Sequence, residues 1–463
     1  MYSILELSQL FRNGSVSPVE VTKDCLSHIE QLNPTLKAFI TVTAETALQQ
    51  ARSAEAEMMA GQWRGPLHGI PLGLKDLIDT AGVRTTAGSA LFENRVPIED
   101  APVVSRLREA GAVILGKQNL HEFAYGGSSV VSHFGAVRNA WNPAYIAGGS
   151  SGGSATAVAA GLGYGTVGSD TAGSIRDPAS LCGIVGIKPT YGRVSARGVI
   201  PLSQSLDHLG PLARTVADTA AILQVLAGYD AADPASVDVP VPDYLAGLHE
   251  PLGHLRIGIP RDFFFVDLHP EIASATKNAL DVFTAMHAEL CEIKLEVPTD
   301  RTLQAAESYA YHRDMITGSG DLYEPETLRR IRSGENFTAE QVEKARRELL
   351  QARQQIGSVF EKVDVLITPT VPITTPGVKE LQQHPEQLRP RELALLRNTR
   401  PFNVWGLPAL SLPSGFTEAG LPIGLQIVGP HWQESRVFQI AHAYEQATAW
   451  HKRVPAILSN SRK

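Results

Sequence analysis

Two clusters of serine and glycine carry most of the reactive side chains in this 463-residue sequence. The first, AGGSSGGSATAVAAG, runs from Ala147 to Gly161; the second, GSDTAGSIRDPASLCGIVGIKPTYGRVS, starts at Gly168. Ser150 and Ser174 stand 24 residues apart. A serine hydroxyl is a weak nucleophile at neutral pH unless a base takes its proton. Neither cluster contains a histidine, so the base must come from elsewhere. Lys75, in GIPLGLKDLID, has Leu72, Leu74 and Leu77 around it. Burial among such residues disfavours an ammonium and lowers the lysine pKa, the condition under which an amine accepts a proton. The plain alternative is a surface lysine paired with Asp76.

Other readings of the same residues compete. GSSGG, Gly149 to Gly153, matches a nucleophile elbow with Ser151 as nucleophile, and an alanine-rich helix follows as that motif requires. Such a hydrolase needs a later acid and histidine. Asp207 and His208 are adjacent, which suits one triad poorly, and nothing marks His254 or His442. Ser150 and Ser151 are also fit to be helix N-caps. GYGTVG, Gly163 to Gly168, satisfies a dinucleotide fingerprint, but a helix precedes it and a strand follows, the reverse of the required order. GAVILGKQ, Gly111 to Gln118, ends in Gln where a phosphate loop needs Ser or Thr, and its apolar centre belongs in a sheet.

Taken together, GIPLGLKDLID, GGSSGGSATAVAAG, the second serine cluster, SLDHLGPLARTV, GLPALSLPSGF and GLPIGLQIVGP closely resemble the amidase signature family. Its members include bacterial amidases, fatty acid amide hydrolase and the A-type subunit of glutamyl-tRNA amidotransferases. The resemblance implies a Ser-cisSer-Lys triad of Ser174, Ser150 and Lys75, with a cis peptide before Ser150. Ser174 would attack the amide carbonyl, and Ser150 would relay its proton to neutral Lys75. Backbone N–H groups of Thr171, Ala172, Gly173 and Ser174 would hold the oxyanion. Ser151, Asp170 and Arg176 would support the turn, the last two as an internal ion pair. HEFAYGGSSV, His121 to Val130, resembles a substrate-lining loop, which makes Tyr125, Gly126 and Gly127 the acyl-pocket candidates. His121 reads as a hydrogen-bonded core residue. Two positions depart from the family pattern. Ala172 replaces a frequent glycine, a cost if φ is positive there, and Asp177 sets a carboxylate near Ser174, where it would repel acidic substrates or recognise cationic ones.

The expected activity is cleavage of a carboxamide C–N bond to an acid plus ammonia or amine through an acyl-enzyme, with no cofactor and no metal. The alternatives are a non-catalytic binding protein on the same fold and an A-type amidotransferase subunit. The expected partner is a small-molecule amide, with no nucleic acid outside the amidotransferase case; a homodimer is usual for relatives.

The elements that must position these residues alternate between helix and strand. The expectation is an α/β fold with a single large mixed β-sheet covered by helices on both faces. We expect one amidase domain over 1–463, with an N-terminal helical region at about 1–65, a catalytic core at about 66–230 and a substrate-covering helical region at about 300–395. SPVE, from Ser17, opens a helix expected to stop before Asn33-Pro34. LKAFITV, AVILGK, LRIGIP, DVLITPT and PIGLQIVG read as strands, and the charged stretch from Thr302 to Glu361 as a solvated helical pair. Hydrophobic residues at 43% and charged residues at 19% are ordinary for a soluble globular protein. A net charge of −7 and a pI near 6.1 argue against a nucleic-acid surface. Cys25, Cys182 and Cys291 are too scattered for a disulfide framework or a thiolate metal site. The N-terminus lacks a signal-peptide pattern and no stretch reaches the ~20 apolar residues of a membrane span, so the expected location is the cytoplasm.

Overall fold

In the computed structural model, which describes residues 2–460, eleven strands form one sheet. They are β1 (Phe39–Val42), β2 (Pro71–Lys75), β3 (Val113–Gln118), β4 (Gly165–Asp170), β5 (Val185–Lys188), β6 (His208–Ala213), β7 (Arg256–Ile259), β8 (Glu289–Glu292), β9 (Val365–Pro369), β10 (Ala409–Phe416) and β11 (Pro422–Val428). Their order is β1-β3-β2-β4-β6-β5-β10-β11-β9-β7-β8. β2 runs parallel to both β3 and β4, and β7 parallel to β8 and β9, whereas the strands between are antiparallel. The sheet is therefore mixed, as the alternation of elements implies.

Successive strand side chains point to opposite faces, and the core divides accordingly. Ile114 of β3 joins the largest apolar cluster while its neighbours Val113 and Leu115 join another. The first face is covered by the helices Val216–Leu226 and Glu434–Ala447, the second by Gly152–Ala159 and Arg176–Cys182. A strand with both faces covered reads as a continuous apolar run, which is why AVILGK, DVLITPT and PIGLQIVG are legible. GYGTVG enters β4 and GAVILGKQ enters β3, so neither forms a nucleotide loop.

Two local expectations need correction. The helix opened by Ser17, which accepts from the Val19 and Glu20 N–H groups, runs through Pro34 to Leu36. Pro34 lacks the N–H for Glu30 O, yet the helix continues past it, and Lys37 ends it in the left-handed conformation with its N–H on Asn33 O. The stretch from Thr302 to Glu361 contains three α-helices rather than a pair: Thr302–Ser319, Pro325–Arg332 and Ala339–Gln355. The Asp and Glu side chains scattered through it hide the break at Tyr323-Glu324. Among the described residues, no helix is long and apolar enough to cross a membrane.

Candidate active site

The parallel pairing of β2 and β4 brings their C-terminal ends to one edge, the side of an α/β sheet where ligands bind. Lys75 is the last residue of β2 and is fully buried. Its Nζ donates to Ser150 Oγ at 2.7 Å and to Ser169 Oγ at 2.9 Å. Burial lowers the Lys75 pKa to about 7, against the opposing pull of the Asp170 and Asp207 carboxylates. Near neutral pH a large fraction of this amine is uncharged. Asp76 is no partner to it, because its carboxylate takes the Thr86 N–H and hydroxyl and faces Lys117 at 3.6 Å.

Ser150 sits after a cis Gly149–Ser150 peptide bond, directly before the helix Gly152–Ala159. Its carbonyl accepts from the His121 N–H at 3.1 Å and from Ser129 Oγ at 3.2 Å. The glycines here serve close approach. A Cβ on Gly149 would lie 2.8 Å from Ser128 N, and one on Gly152 would lie 2.6 Å from Ser129 Oγ. The 126–130 loop thus packs its backbone against the Ser150 turn.

Ser151 occupies the N-cap position without a side-chain cap bond, and its hydroxyl donates instead to Ser169 O at 3.1 Å. It is fully buried and none of the candidate histidines reaches it. His208 engages Leu206 O, His254 faces Glu289 and His442 faces Glu445. The elbow reading therefore lacks its base. Ser151 instead fixes the backbone of Ser169, which binds Lys75.

Ser174 lies on the turn after β4, 3% exposed, and its carbonyl accepts the Ser151 N–H at 3.2 Å. Asp170 and Arg176 bracket it as a fully buried pair, with Nε to Oδ2 at 3.0 Å and Nη2 to Oδ1 at 2.9 Å. Arg176 spends its remaining donors on Thr399 O, Gln426 Oε1 and Asn403 Oδ1. Although burial alone would raise the Asp170 pKa, Arg176 and Asn403 hold it well below the usual carboxylate range. The carboxylate also accepts the Gly173 N–H at 2.7 Å and the Ile175 N–H at 3.1 Å. Of the oxyanion candidates Thr171, Ala172, Gly173 and Ser174, the Gly173 amide is engaged by Asp170.

The positive φ of the turn falls on Gly173, at 136°, where a Cβ would collide with Thr399 Oγ1. Ala172 is not among the positive-φ residues, so its methyl is accommodated without strain. Its carbonyl accepts from Thr399 Oγ1 at 2.7 Å. Asp177 is fully buried; Oδ2 accepts the Gly149 N–H at 2.9 Å and Oδ1 has no hydrogen-bond partner. Burial, with Glu392 and Asp170 nearby, raises its pKa well above normal. Burial thus favours the neutral form of Asp177, and Oδ2 is spent on the Gly149 backbone.

The loop residues differ from expectation as well. His121 is buried and pushed towards the neutral form by burial and by Arg330, Arg389 and Lys75. Neither of its ring nitrogens makes a hydrogen bond, the nearest polar group being Glu392 Oε1 at 3.4 Å. Its ring covers Gly126, and Leu396 covers Gly127. The protein itself occupies the Cβ positions of these two glycines. Tyr125 is 4% exposed, and its carbonyl accepts from Arg330 Nη1 at 2.5 Å. Arg330 pairs with buried Glu392 at 2.6 Å, and Glu392 takes the Ser128 hydroxyl at 2.6 Å.

Sequence reasoning missed Ser169, Thr399, Asn403 and the Glu392–Arg330 pair. Only Ser169 had a signal, as a hydroxyl beside Asp170 at the end of a strand. The others come from segments with no reactive pattern. Among the described residues, no three His, Cys, Asp or Glu side chains are grouped to hold a metal ion.

An eleven-stranded mixed sheet with a buried lysine at a strand end, bonded to one serine of the neighbouring strand and one of a cis-peptide turn, defines a hydrolase of the amidase type. The amidase family model matches residues 20–438, and the chain belongs to the amidase signature family, whose members act on C–N bonds. It is similar to the A-type subunit of the glutamyl-tRNA(Gln) amidotransferase of Roseiflexus sp. (strain RS-1), with 41% identity over 98% of both chains. It is also similar to the corresponding protein of Synechococcus sp. (strain RCC307), with 42% identity over 95% of this chain and 96% of the other. Among solved structures, 6-aminohexanoate cyclic dimer hydrolase matches with a TM-score of 0.90 and 31% identity over 99% of both chains. The peptide amidase PAM, in complex with the competitive inhibitor chymostatin, matches with a TM-score of 0.84 and 31% identity over 98% of both chains.

Proposed function

We propose that this protein hydrolyses a carboxamide through an acyl-enzyme on Ser174. The observation that carries the reading is the Lys75 amine, buried, near half-neutral at pH 7 and bonded to Ser150. Ser174 Oγ attacks the carbonyl carbon as its proton passes to Ser150 and the Ser150 proton passes to Lys75 Nζ. The tetrahedral oxyanion meets backbone N–H groups of the Thr171–Ser174 turn, a contribution of about 3 kcal/mol per donor. Collapse breaks the C–N bond, and the lysine proton returns through Ser150 to the leaving nitrogen. Water then attacks the acyl-serine with the same relay, releasing the acid and restoring Ser174.

The finer reading we favour is an ammonia-releasing, glutaminase-type component of an amidotransferase. Its support is the 39–42% identity to A-type amidotransferase subunits over nearly the whole chain, against 31% for the two solved hydrolases above. A hydrolase that works alone is the second reading, favoured by the TM-score of 0.90 to 6-aminohexanoate cyclic dimer hydrolase.

Two measurements test this. A fluorophosphonate should label Ser174 and leave Ser151 untouched in peptide maps; labelling of Ser151 overturns the triad. Ammonia release from glutamine should be weak for the isolated chain and rise when proteins that copurify with it are added. Full turnover of aliphatic, aryl or peptide-like amides by the chain alone, with none from glutamine, replaces the first reading by the second. A chain that neither labels nor turns over any amide is a binding protein on this fold.

A further inference from the structure

A cleft of about 250 Å³ lies between the helices Thr302–Ser319 and Ala339–Gln355 and the segment leading into Arg301. Its apolar lining is one packed group, Leu206, Leu303, Leu349 and Val404 among its members. Asp300 and Glu348 stand exposed at its rim. Lys75, Ser150, Ser169 and Ser174 are not part of its lining.

Two buried polar side chains line the same cleft. Arg400, 4% exposed, donates through Nη1 to Pro298 O at 3.2 Å and through Nη2 to Asp300 O, and its Nε has no partner. Gln304, 5% exposed, has no partner for Oε1, and rotation of its amide offers either an acceptor or a donor. Burying such groups unsatisfied is costly, so a site that holds two of them is poised for a ligand.

The charge balance selects the head group. Among the described residues, Arg301, Arg389 and Arg400 make no ion pair with any carboxylate. Burial, with the charge of Arg301 acting on Arg400 and that of Arg389 on Arg301, lowers the Arg400 pKa to about 9 and that of Arg301 to about 10. Of the two acids at the cleft, Asp300 turns its carboxylate to the Thr302 N–H and hydroxyl at 3.0 and 2.9 Å, and Glu348 makes no ion pair with Arg400. The Asp300 carboxylate acts on Arg400 without bonding to its guanidinium; an anion placed on the free Nε would meet both the charge and the missing acceptor, whereas a neutral amide or alcohol would meet only the acceptor.

We propose that this cleft binds a small carboxylate with an apolar body, its head group taken by Arg400 and its body laid against Leu303, Leu349 and Val404. The site is separate from Ser174, and the proposal stands or falls independently of the hydrolase reading. It neighbours the nucleophile turn through Thr399 and Asn403, which flank Arg400 and hold Ala172 O and Asp170.

Calorimetric titration of the full chain with hexanoate tests it, with hexanamide and hexan-1-ol as controls of equal length. Hexanoate should bind saturably, at about millimolar Kd or tighter for a ligand of this size, and hexanamide at least about tenfold more weakly. Leu349→Trp fills the cleft from its wall and should weaken hexanoate by about tenfold or more. Arg400→Gln should bring hexanoate and hexanamide to equal affinity. If either variant fails to fold, Ala345→Phe, one turn earlier on the same helix, blocks the cleft without touching the arginine. Absence of saturable binding, equal affinity for acid and amide in the unmodified chain, or hexanoate binding that survives the blocking substitution overturns the proposal.

Discussion

Lys75 Nζ lies 2.7 Å from Ser150 Oγ, with Ser169 Oγ at 2.9 Å on its other side and no carboxylate within ion-pair distance. An ammonium in this position is bonded directly only to hydroxyls, and desolvation outweighs the more distant pull of Asp170 and Asp207, so the pKa falls to about 7. The base form is the one that accepts a proton, so kcat/KM should climb as pH rises through about 7 and level off above it. Lys75→Ala should lower kcat/KM by about 10²–10⁴-fold and remove this acid limb. A steady-state pH profile checks both; an unchanged limb in the variant would assign it to another group.

Ser169 accepts from the same amine. Its removal takes more from the ammonium, which has three donors, than from the neutral amine, and therefore lowers the Lys75 pKa further. Ser169→Ala should move the acid limb to lower pH while kcat falls, by about tenfold on the scale of one lost hydrogen bond. A limb that moves upward contradicts the assignment.

Burial raises the Asp177 pKa well above its ordinary value and so favours the neutral carboxyl. Asparagine keeps the acceptor for the Gly149 N–H and mimics the neutral form that burial favours. Asp177→Asn should leave kcat/KM at pH 7 within about threefold, less than 1 kcal/mol. A large change that differs in sign between cationic and anionic amides would mean that residue 177 is ionised.

Breaking the Asp170–Arg176 pair isolates a buried carboxylate. Arg176→Met should cost about 3–5 kcal/mol at pH 7. The sign of its pH dependence is distinctive. In the unmodified chain the Asp170 pKa lies below its unfolded value of 3.8, so its contribution is fully present above that pH and is lost only as pH falls through the lower, folded value. In the variant the unpaired carboxyl is pushed upward, so stability is regained as pH falls and the group protonates. Urea unfolding at about pH 7 and pH 5 should show the penalty shrinking at the lower pH. A penalty equal at both pH values would mean that Asp170 has found another partner.

Much of this was legible in the chain. Val113, Ile114 and Leu115 announce β3 because a strand buried on both faces needs no polar residue, and Gly61 marks the end of the Ala44–Met59 helix at φ 76°. Lys75 among leucines reads as a buried amine, which it is; the hydroxyl relay through the two serine clusters is what the family resemblance implies. Helix ends were less legible. Pro34 reads as a stop, but only the αL conformation of Lys37 ends that helix.

The sequence by itself determined the reactive groups and the alternating elements, since both depend on residue type and local period. Only the tertiary structure decided which atoms meet: that Ser151 faces the backbone of β4, that Gly173 gives its amide to Asp170, and that Asp177 is enclosed with its carboxyl on the Gly149 N–H. It also supplied Thr399, Asn403 and Gln426, which reach the Asp170–Arg176 turn from more than 200 residues away. Periodicity reports which face of its own strand or helix a residue occupies. The partners across that face are set by the order in which distant strands join the sheet, and burial then fixes their charge.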